Sequence, residues 1–236
     1  MSFLLVNYFT FLRRNRQYIN SMCGRYALYD IGPLEAEYGL PDDYDGAPNY
    51  NVAPSQVMPV VTQDGPRMMR WGLIPRWAKD AKIGYTLINA RAETIFDKPL
   101  WKSLIIKQRC LVPANGFYEW QKRADGKHPF FIHPVDQSMF MFAGVWETWR
   151  HNGVDAHTYS ILTTTPSAEM AAIHDRMPVI LEEGIHDAWL GGGEKEDIEA
   201  LLMPYVDGAL ELFEVDTSVN VTKVNTGDLI KPLNSR

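Results

Sequence analysis

The stretch RCLVPANGFYEWQKRADGKHPFFIH, residues 109–133, carries the pattern that decides the fold. Aromatic and β-branched residues fill two runs, and the pair Asp125-Gly126 separates them. A two-residue turn of this kind between such runs is typical of a β-hairpin, because Asp and Gly tolerate the positive φ that the turn requires. We therefore predict one strand over Arg109–Lys122 and its antiparallel partner over His128–His133.

The sequence on both sides extends this pattern. Asp64-Gly65 separates two further strand-like runs, which predicts a second hairpin. The remaining strand predictions are Gln56–Thr62, Arg67–Trp71, Met139–Trp149 and His157–Thr165. The predicted helices are Pro33–Tyr38, Lys98–Lys107, Ser167–Ile173 and Glu194–Leu202. Strands outnumber helices without alternating with them, which predicts an α+β fold with a mainly antiparallel, barrel-like β-sheet core and several short flanking helices.

Length and composition fit a single domain over residues 22–236, preceded by an extension over residues 1–21. The chain has 236 residues, 46% of them hydrophobic, and no internal repeat. The apolar run of the extension is shorter than the roughly 20 residues of a membrane span. Its arginines follow that run, unlike those of a secretory signal. We interpret the extension as the product of an upstream start codon mistaken for the true one, with Met22 as the initiator, or as a removed propeptide. A transit peptide is the weaker alternative.

Two cysteines, Cys23 and Cys110, limit the redox and metal chemistry. They cannot form a disulfide framework, and no Cys-x-x-Cys or His-x-x-x-His spacing indicates a metal site. We expect no metal, no cofactor and no membrane association, and a cytoplasmic location.

Charge is distributed unevenly along the chain. The net charge of −6 argues against a polyanionic partner, yet residues 67–109 hold ten Lys and Arg against three Asp and Glu. Residues 182–216 hold eleven acidic residues and Lys195 as their only cation. A basic groove on an acidic protein is therefore possible, since surface fields are screened over about 8 Å. A solvated basic face is the alternative.

Cys23 follows Met22 and would become the first residue after removal of an initiator Met. An α-amine has a pKa of about 7.7–8.0, so part of it is neutral and nucleophilic at cellular pH. The amine and the thiol of one terminal cysteine can capture an aldehyde as a Schiff base and then as a thiazolidine. An internal cysteine cannot do this, and the alternative is that Cys23 is a small buried side chain.

Three other stretches carry candidate site residues. INARAE (88–93) places Asn89 and Arg91 on the same side of an extended segment. GFYEWQK (116–122) surrounds Glu119 with aromatic residues, where burial would raise its carboxyl pKa. HDRMPVIL (174–181) places His174 and Arg176 in a turn before a buried strand. The alternatives are a turn-forming Asn89, a solvent-facing Glu119 and a helix-capping His174.

Together with Cys23, these stretches resemble the SOS-response-associated peptidase (SRAP) family of abasic-site sensors. The resemblance covers most of the chain from Met22 to about residue 225. It is carried by six motifs in order: MCGRY (22–26), YNVAPSQ (50–56), RWGLIPRW (70–77), INARAET (88–94), RCLVPANGFYEW (109–120) and IHDRMPVIL (173–181).

The resemblance implies a thiol-dependent protein that binds single-stranded DNA, often at a junction with duplex. It would trap the ring-opened abasic site as a thiazolidine crosslink that shields the lesion. By motif, Cys23 is the nucleophile, Asn89 orients the reacting centre, Glu119 shuttles protons, and His174 assists ring opening and crosslink reversal. It also implies a monomer, associated with the nucleoid when bound to DNA.

The DNA-binding positions that the resemblance implies fall partly in the basic segment. The arginines look like phosphate ligands, and a Pro and a Trp look like the wedge that stacks on bases. The six positions are Arg25, Pro54, Trp77, Arg91, Thr163 and Arg176. Trp71 and Trp101, by contrast, are expected in the core.

The extension departs from the family pattern, because it blocks the amine of Cys23. Self-removal of a leader, with Cys23 attacking and His174 or Glu119 as base, is one hypothesis that the family's peptidase name suggests. Two other functions stay open: a cysteine peptidase acting in trans through Cys23 and His174, and a non-covalent single-strand-binding module.

Overall fold

The computed structural model describes residues 23–233, and the prediction of an extension over residues 1–21 lies outside them. The strands are β1 Arg25–Leu28, β2 Asn49–Val52, β3 Val57–Thr62, β4 Gly65–Trp71, β5 Asn89–Arg91, β6 Arg109–Ala114, β7 Gly116–Arg123, β8 Gly126–Pro134, β9 Phe140–His151, β10 Val154–Thr164, β11 Met177–Pro178, β12 Ile180–Leu181 and β13 Leu210–Glu214. The α-helices are α1 Gly32–Tyr38, α2 Pro99–Lys107, α3 His186–Gly191 and α4 Lys195–Ala200.

Two sheets form the core of the fold. Strands β10, β4, β3, β6 and β9 pair in that order, and β9 pairs again with β10, so the five close into a barrel. The second sheet has the order β13-β8-β7-β1-β2 and is antiparallel throughout. In the described chain, parallel pairing occurs where β10 meets β4 and β5. The predicted α+β fold with a mainly antiparallel, barrel-like core is confirmed.

Both predicted hairpins are present. β3 pairs with β4 across Gln63-Asp64, and β7 pairs with β8 across Ala124-Asp125. Gly65 and Gly126 lie at positive φ of 103° and 141°, a backbone that residues with a side chain rarely adopt. The predicted strands near residues 139–149 and 157–165 are β9 and β10, which a further turn joins at Asn152-Gly153.

The prediction of one continuous strand over Arg109–Lys122 is wrong. The run breaks at Asn115, so that β6 belongs to the barrel and β7 to the second sheet. The Asn115 side chain accepts hydrogen bonds from the backbone N–H groups of Tyr29 (2.7 Å) and Asp30 (2.9 Å), and it donates one to the Asp30 carbonyl. This contact pattern diverts the chain from one sheet to the other.

Asn115→Ala is therefore expected to destabilise the protein by about 2–4 kcal/mol, because three hydrogen bonds are lost at about 0.5–1.5 kcal/mol each. The free energy of unfolding in urea measures this loss. Asn115→Asp keeps an acceptor oxygen but sets a second oxygen against the Asp30 carbonyl, so it should also destabilise the protein. Equal stability of the wild type and Asn115→Ala would contradict the assigned role.

The helix predictions are correct in three places and wrong in one. α1, α2 and α4 lie where they are predicted, and Gly39 ends α1 at φ 74°. The predicted helix over Ser167–Ile173 is only a 3₁₀ turn over Met170–Ala172, in which the Ile173 N–H donates to the Met170 carbonyl three residues earlier. The sequence patterns did not predict α3, and they also missed the strands β1, β2 and β13.

Tyr26 joins the two sheets at the centre of the core. Its ring on β1 lies 5.2 Å from Trp71 on β4, and its hydroxyl is 2.8 Å from the hydroxyl of Tyr159 on β10. Trp71 and Trp101 are both buried, so their predicted place in the core is confirmed. This packing fixes β1, and with it Cys23, against the barrel.

Candidate active site

Cys23 lies immediately before β1, and Glu119 lies on the neighbouring strand β7. Because Arg25 of β1 pairs with Tyr118 of β7, Cys23 and Glu119 come to the same end of this strand pair. The backbone N–H of Cys23 donates to Glu119 Oε1 at 2.5 Å, and the same carboxyl is near enough to the thiol to raise its pKa. One carboxyl therefore contacts the nitrogen of Cys23 and acts electrostatically on its sulfur.

The environment of this pair is apolar. Glu119 is only 2% exposed, which excludes the alternative of a solvent-facing side chain. Burial raises the pKa of the Glu119 carboxyl above its ordinary value, as its aromatic surroundings predict, while the nearby His174 opposes the shift. A carboxyl of this kind is suited to exchanging protons near neutral pH.

The Cys23 thiol is buried as well, and burial raises its pKa well above the ordinary value. The charge of Glu119 adds to this shift, and the Arg176 guanidinium opposes it. The thiol of the full chain is therefore held in its protonated form, which is a weak nucleophile. The backbone of Cys23 is also unusual, with φ at 45° in the left-handed region.

His174 lies in the segment that the sequence predicts as a turn before a buried strand, and β11 and β12 confirm that strand. Its Nδ1 accepts a hydrogen bond from the backbone N–H of Arg176 at 3.2 Å and lies 3.1 Å from Asp175 Oδ1. Its own backbone N–H donates to the Met170 carbonyl, but the residue that caps the 3₁₀ turn is Ile173, so the alternative of a helix-capping His174 is wrong. Its side chain acts electrostatically on Glu119.

Arg176 crosses the end of β10. Its Nη1 and Nη2 donate to Glu93 Oε1 and Oε2 at 2.5 and 2.9 Å, forming a bidentate ion pair. Nη2 also donates to the Thr163 carbonyl at 2.5 Å and to Thr163 Oγ1 at 3.2 Å. The sequence singled out Arg176 and Thr163 but missed Glu93, which no local pattern connects to an arginine 83 residues away.

Asn89 and Arg91 lie on β5, which runs parallel to β10. Arg91 is opposite Thr163 in this register, and Asn89 is opposite Ile161. The two side chains leave the same side of the strand, since the intervening Ala90 is buried and side chains alternate. Arg91 helps to lower the pKa of Glu93, so it lies near the Arg176 ion pair.

Arg25 is a half-buried cation two residues after Cys23. Burial lowers the pKa of its guanidinium to about 10. Its Nη1 donates to the Gly24 carbonyl at 2.8 Å, whereas its buried Nε has no hydrogen-bond partner in residues 23–233, and the same is true of Arg176 Nε. Buried cationic donors without partners are unfavourable until an anion reaches them, so the pair suits a phosphate-bearing ligand.

Pro54 and Trp77 lie on the two connections at one end of the β3–β4 hairpin. Pro54 precedes β3 and is partly buried, and Trp77 follows β4 with 66% of its surface exposed. Hydrogen bonds between Trp71 and the residues Ser55 and Gln56 hold these connections together. An exposed indole at this place is available for stacking on a flat ligand.

Two further findings concern partners of other kinds. Within residues 23–233, no three His, Cys, Asp or Glu side chains group in a way that could hold a metal ion. No helix of this region has both the length and the apolar character needed to cross a bilayer.

Comparisons with known proteins find relatives that are named abasic site processing proteins. Abasic site processing protein YoaM of Bacillus subtilis is 41% identical over 223 residues, covering 89% of this chain and 97% of that protein. Abasic site processing protein HMCES of Gallus gallus is 32% identical over 224 residues, covering 79% of this chain and 66% of that protein. Both names agree with the family that the motifs indicate.

The fold comparison agrees with the sequence comparison. An X-ray crystal structure of a protein from Bacteroides thetaiotaomicron matches with a TM-score of 0.80 at 27% identity, covering 89% of this chain and 99% of that one. The family model described as SOS response associated peptidase (SRAP) matches residues 22–222. This match spans most of the sequence and every element that builds the candidate site, and the chain therefore belongs to the SRAP family.

Proposed function

We propose that this protein senses abasic sites in single-stranded DNA and forms a thiazolidine DNA–protein crosslink through Cys23, once Cys23 is the first residue. The crosslink protects the lesion from strand cleavage and error-prone copying. The observation that carries the proposal is the hydrogen bond from the Cys23 backbone nitrogen to the buried Glu119 carboxyl, which also acts electrostatically on the Cys23 thiol. The names of YoaM and HMCES support DNA with abasic sites as the substrate.

The reaction follows from the chemistry of the two nucleophiles. The neutral α-amine of Cys23 attacks the aldehyde carbon of the ring-opened sugar, and loss of water gives a Schiff base. The sulfur then attacks the same carbon, the thiol proton moves to nitrogen, and the five-membered ring closes with one water released overall. In this proposal Glu119 takes a proton from either nucleophile and returns it to the leaving hydroxyl, a role that its hydrogen bond with the Cys23 nitrogen supports.

The other candidate residues have supporting roles in this proposal. Asn89 orients the reacting centre. His174 assists ring opening and crosslink reversal, and its charge lowers the pKa of Glu119. The three arginines Arg25, Arg91 and Arg176 bind phosphates together with Thr163, and Pro54 and Trp77 stack on exposed bases. The protein acts as a cytoplasmic monomer on single strands and at junctions with duplex, and it is associated with the nucleoid when bound to DNA.

The proposal also requires a free amine at Cys23. Residues 22–236 are the working domain, and residues 1–21 are an extension that the active form lacks. Removal of a leader by the chain itself would make the protein an autopeptidase. With the Cys23 thiol protonated, that cleavage depends on proton transfer to Glu119 or His174. Intact-mass analysis of protein from cells tests this route, and a dominant species that retains residues 1–22 would exclude it.

The test of function uses a chain that begins at Cys23 and a single-stranded oligonucleotide with one abasic site. A denaturing gel should show a shifted band that is absent with an intact oligonucleotide, with Cys23→Ala and with the amine acetylated. Absence of the band from the unmodified chain would overturn the proposal. Binding without a band would indicate a non-covalent module, cleavage of the oligonucleotide would add a lyase activity, and peptide cleavage with a blocked amine would indicate a peptidase.

A further inference from the structure

Glu93 competes for the guanidinium that the proposed function assigns to DNA. Arg176 lies in the segment before β11, on one side of β10, and Glu93 lies in the 3₁₀ turn Ala92–Thr94 after β5, on the other side. The ion pair closes over Thr163 between them. A carboxylate occupies both outer nitrogens of the guanidinium fork, the arrangement in which arginine binds a phosphate.

The two partners differ in exposure. The Arg176 side chain is 11% exposed and the Glu93 side chain is 42% exposed, so the carboxylate forms the solvent side of the pair. Arg176 and Arg91 lower the pKa of Glu93, which keeps the carboxylate ionised at neutral pH. A DNA phosphate that approaches from solvent therefore meets a negative charge before it reaches the guanidinium.

Departure of Glu93 would leave Arg176 in place. Nη2 keeps its bonds to the Thr163 carbonyl and hydroxyl, and the outer side of Nη1 and Nη2, where Glu93 had been, would face a new acceptor. We propose that Glu93 is a specificity-determining residue. In the free protein its carboxylate occupies the place on Arg176 where a DNA phosphate binds, and the phosphate must displace it. The inference rests on the proposed function, in which Arg176 is a phosphate ligand.

Because Glu93 must leave before a phosphate can bind Arg176, DNA that makes few other contacts with the protein would bind more weakly. Because the Arg176 side chain is only 11% exposed, removal of the competing carboxylate should tighten binding by roughly fivefold, the upper end of what an exposed ion pair contributes. Arg176 would also neutralise a phosphate outright, which should steepen the dependence of log K on log salt by about 0.7 for a single strand.

The experiment measures binding of an intact single-stranded oligonucleotide by fluorescence anisotropy at several salt concentrations. Glu93→Gln should bind more tightly and with a steeper salt dependence than the wild type. Glu196→Gln is the matched control, because it removes the same charge from an exposed position on α4. Thermal unfolding of each variant checks that the fold is intact.

Three results would overturn the inference: Glu93→Gln binding no more tightly than Glu196→Gln, Glu93→Gln binding more weakly than the wild type, or the gain persisting in Glu93→Gln combined with Arg176→Ala. Weaker binding would mean that Glu93 holds Arg176 in its binding orientation. Failure of the proposed function is a separate result, since it appears as a missing crosslink to abasic DNA in the wild type.

Discussion

Replacing Glu119 with Gln in a chain that begins at Cys23 is expected to slow crosslinking to an abasic oligonucleotide by about 10²–10⁴-fold. The substitution keeps the size of the side chain and an oxygen that can accept from Cys23, but it removes the group that exchanges protons. The single-turnover rate of band formation measures the loss. Glu147→Gln is the control, because Glu147 is also a buried carboxyl and lies on β9 opposite Thr158, away from Thr163 at the far end of β10.

The same variant should change the pH dependence of the rate. A carboxylate beside the α-ammonium favours the charged amine and raises the pKa of the amine, so its removal should lower that pKa. The rise in rate with pH, which follows loss of the amine's proton between about pH 6 and 9, should therefore move to lower pH in Glu119→Gln. A rate within about twofold of the wild type, or an unmoved profile, would contradict the role of Glu119.

Loss of stability does not explain this expected effect. Burial raises the pKa of Glu119, so the folded protein favours the protonated carboxyl. The contribution of Glu119 to stability is then present below the ordinary pKa of a glutamate and falls as pH rises through the raised value. At neutral pH the neutral amide of Glu119→Gln avoids this cost, and the variant should be at least as stable as the wild type in urea.

Trp71→Ala should destabilise the protein by about 3–5 kcal/mol. Trp71 is fully buried, contacts the Tyr26 ring and donates through Nε1 to the Ile88 carbonyl at 3.0 Å. Its removal leaves a cavity between the two sheets and a buried carbonyl without that donor. The free energy of unfolding in urea measures the effect, and a loss below about 1 kcal/mol would contradict the packing described here.

Trp77→Ala is the matched control for the fold and a test of the DNA wedge. Since Trp77 is mostly exposed, its removal should change stability by no more than about 0.5 kcal/mol. If Trp77 stacks on a base, the same change should weaken single-strand binding by about 1–3 kcal/mol. Unchanged DNA affinity would remove Trp77 from the binding surface and leave the core prediction intact.

Local patterns predicted the hairpins because each depends on a turn within a few residues of its strands. The Asp64-Gly65 and Asp125-Gly126 pairs are examples, in which each glycine begins the second strand of its hairpin at positive φ. The break at Asn115 was not predictable in this way, since its three hydrogen bonds go to Tyr29 and Asp30, more than 80 residues earlier. Closure of the barrel by β9 and β10 is likewise a property of pairing between distant strands.

In the candidate site, too, local features were predictable from the sequence and contacts between distant residues were not. The aromatic surroundings of Glu119 in the sequence were enough to predict a raised pKa. Its contact with Cys23 spans 96 residues and depends on the pairing of β1 with β7, which no spacing reveals. Glu93 lies within a motif that the sequence analysis singled out. Its partner Arg176 lies 83 residues later, in the segment before β11, so the charge of Glu93 alone could not identify the ion pair.

The left-handed backbone at Cys23 bears on the chemistry of the peptide bond that precedes it. A positive φ crowds a side chain against the carbonyl of the preceding residue, and such backbone costs about 1–3 kcal/mol. A polypeptide that starts at Cys23 has no preceding carbonyl, so hydrolysis there relieves the crowding. In the proposed removal of the leader, the backbone of Cys23 would therefore favour the cleaved product thermodynamically.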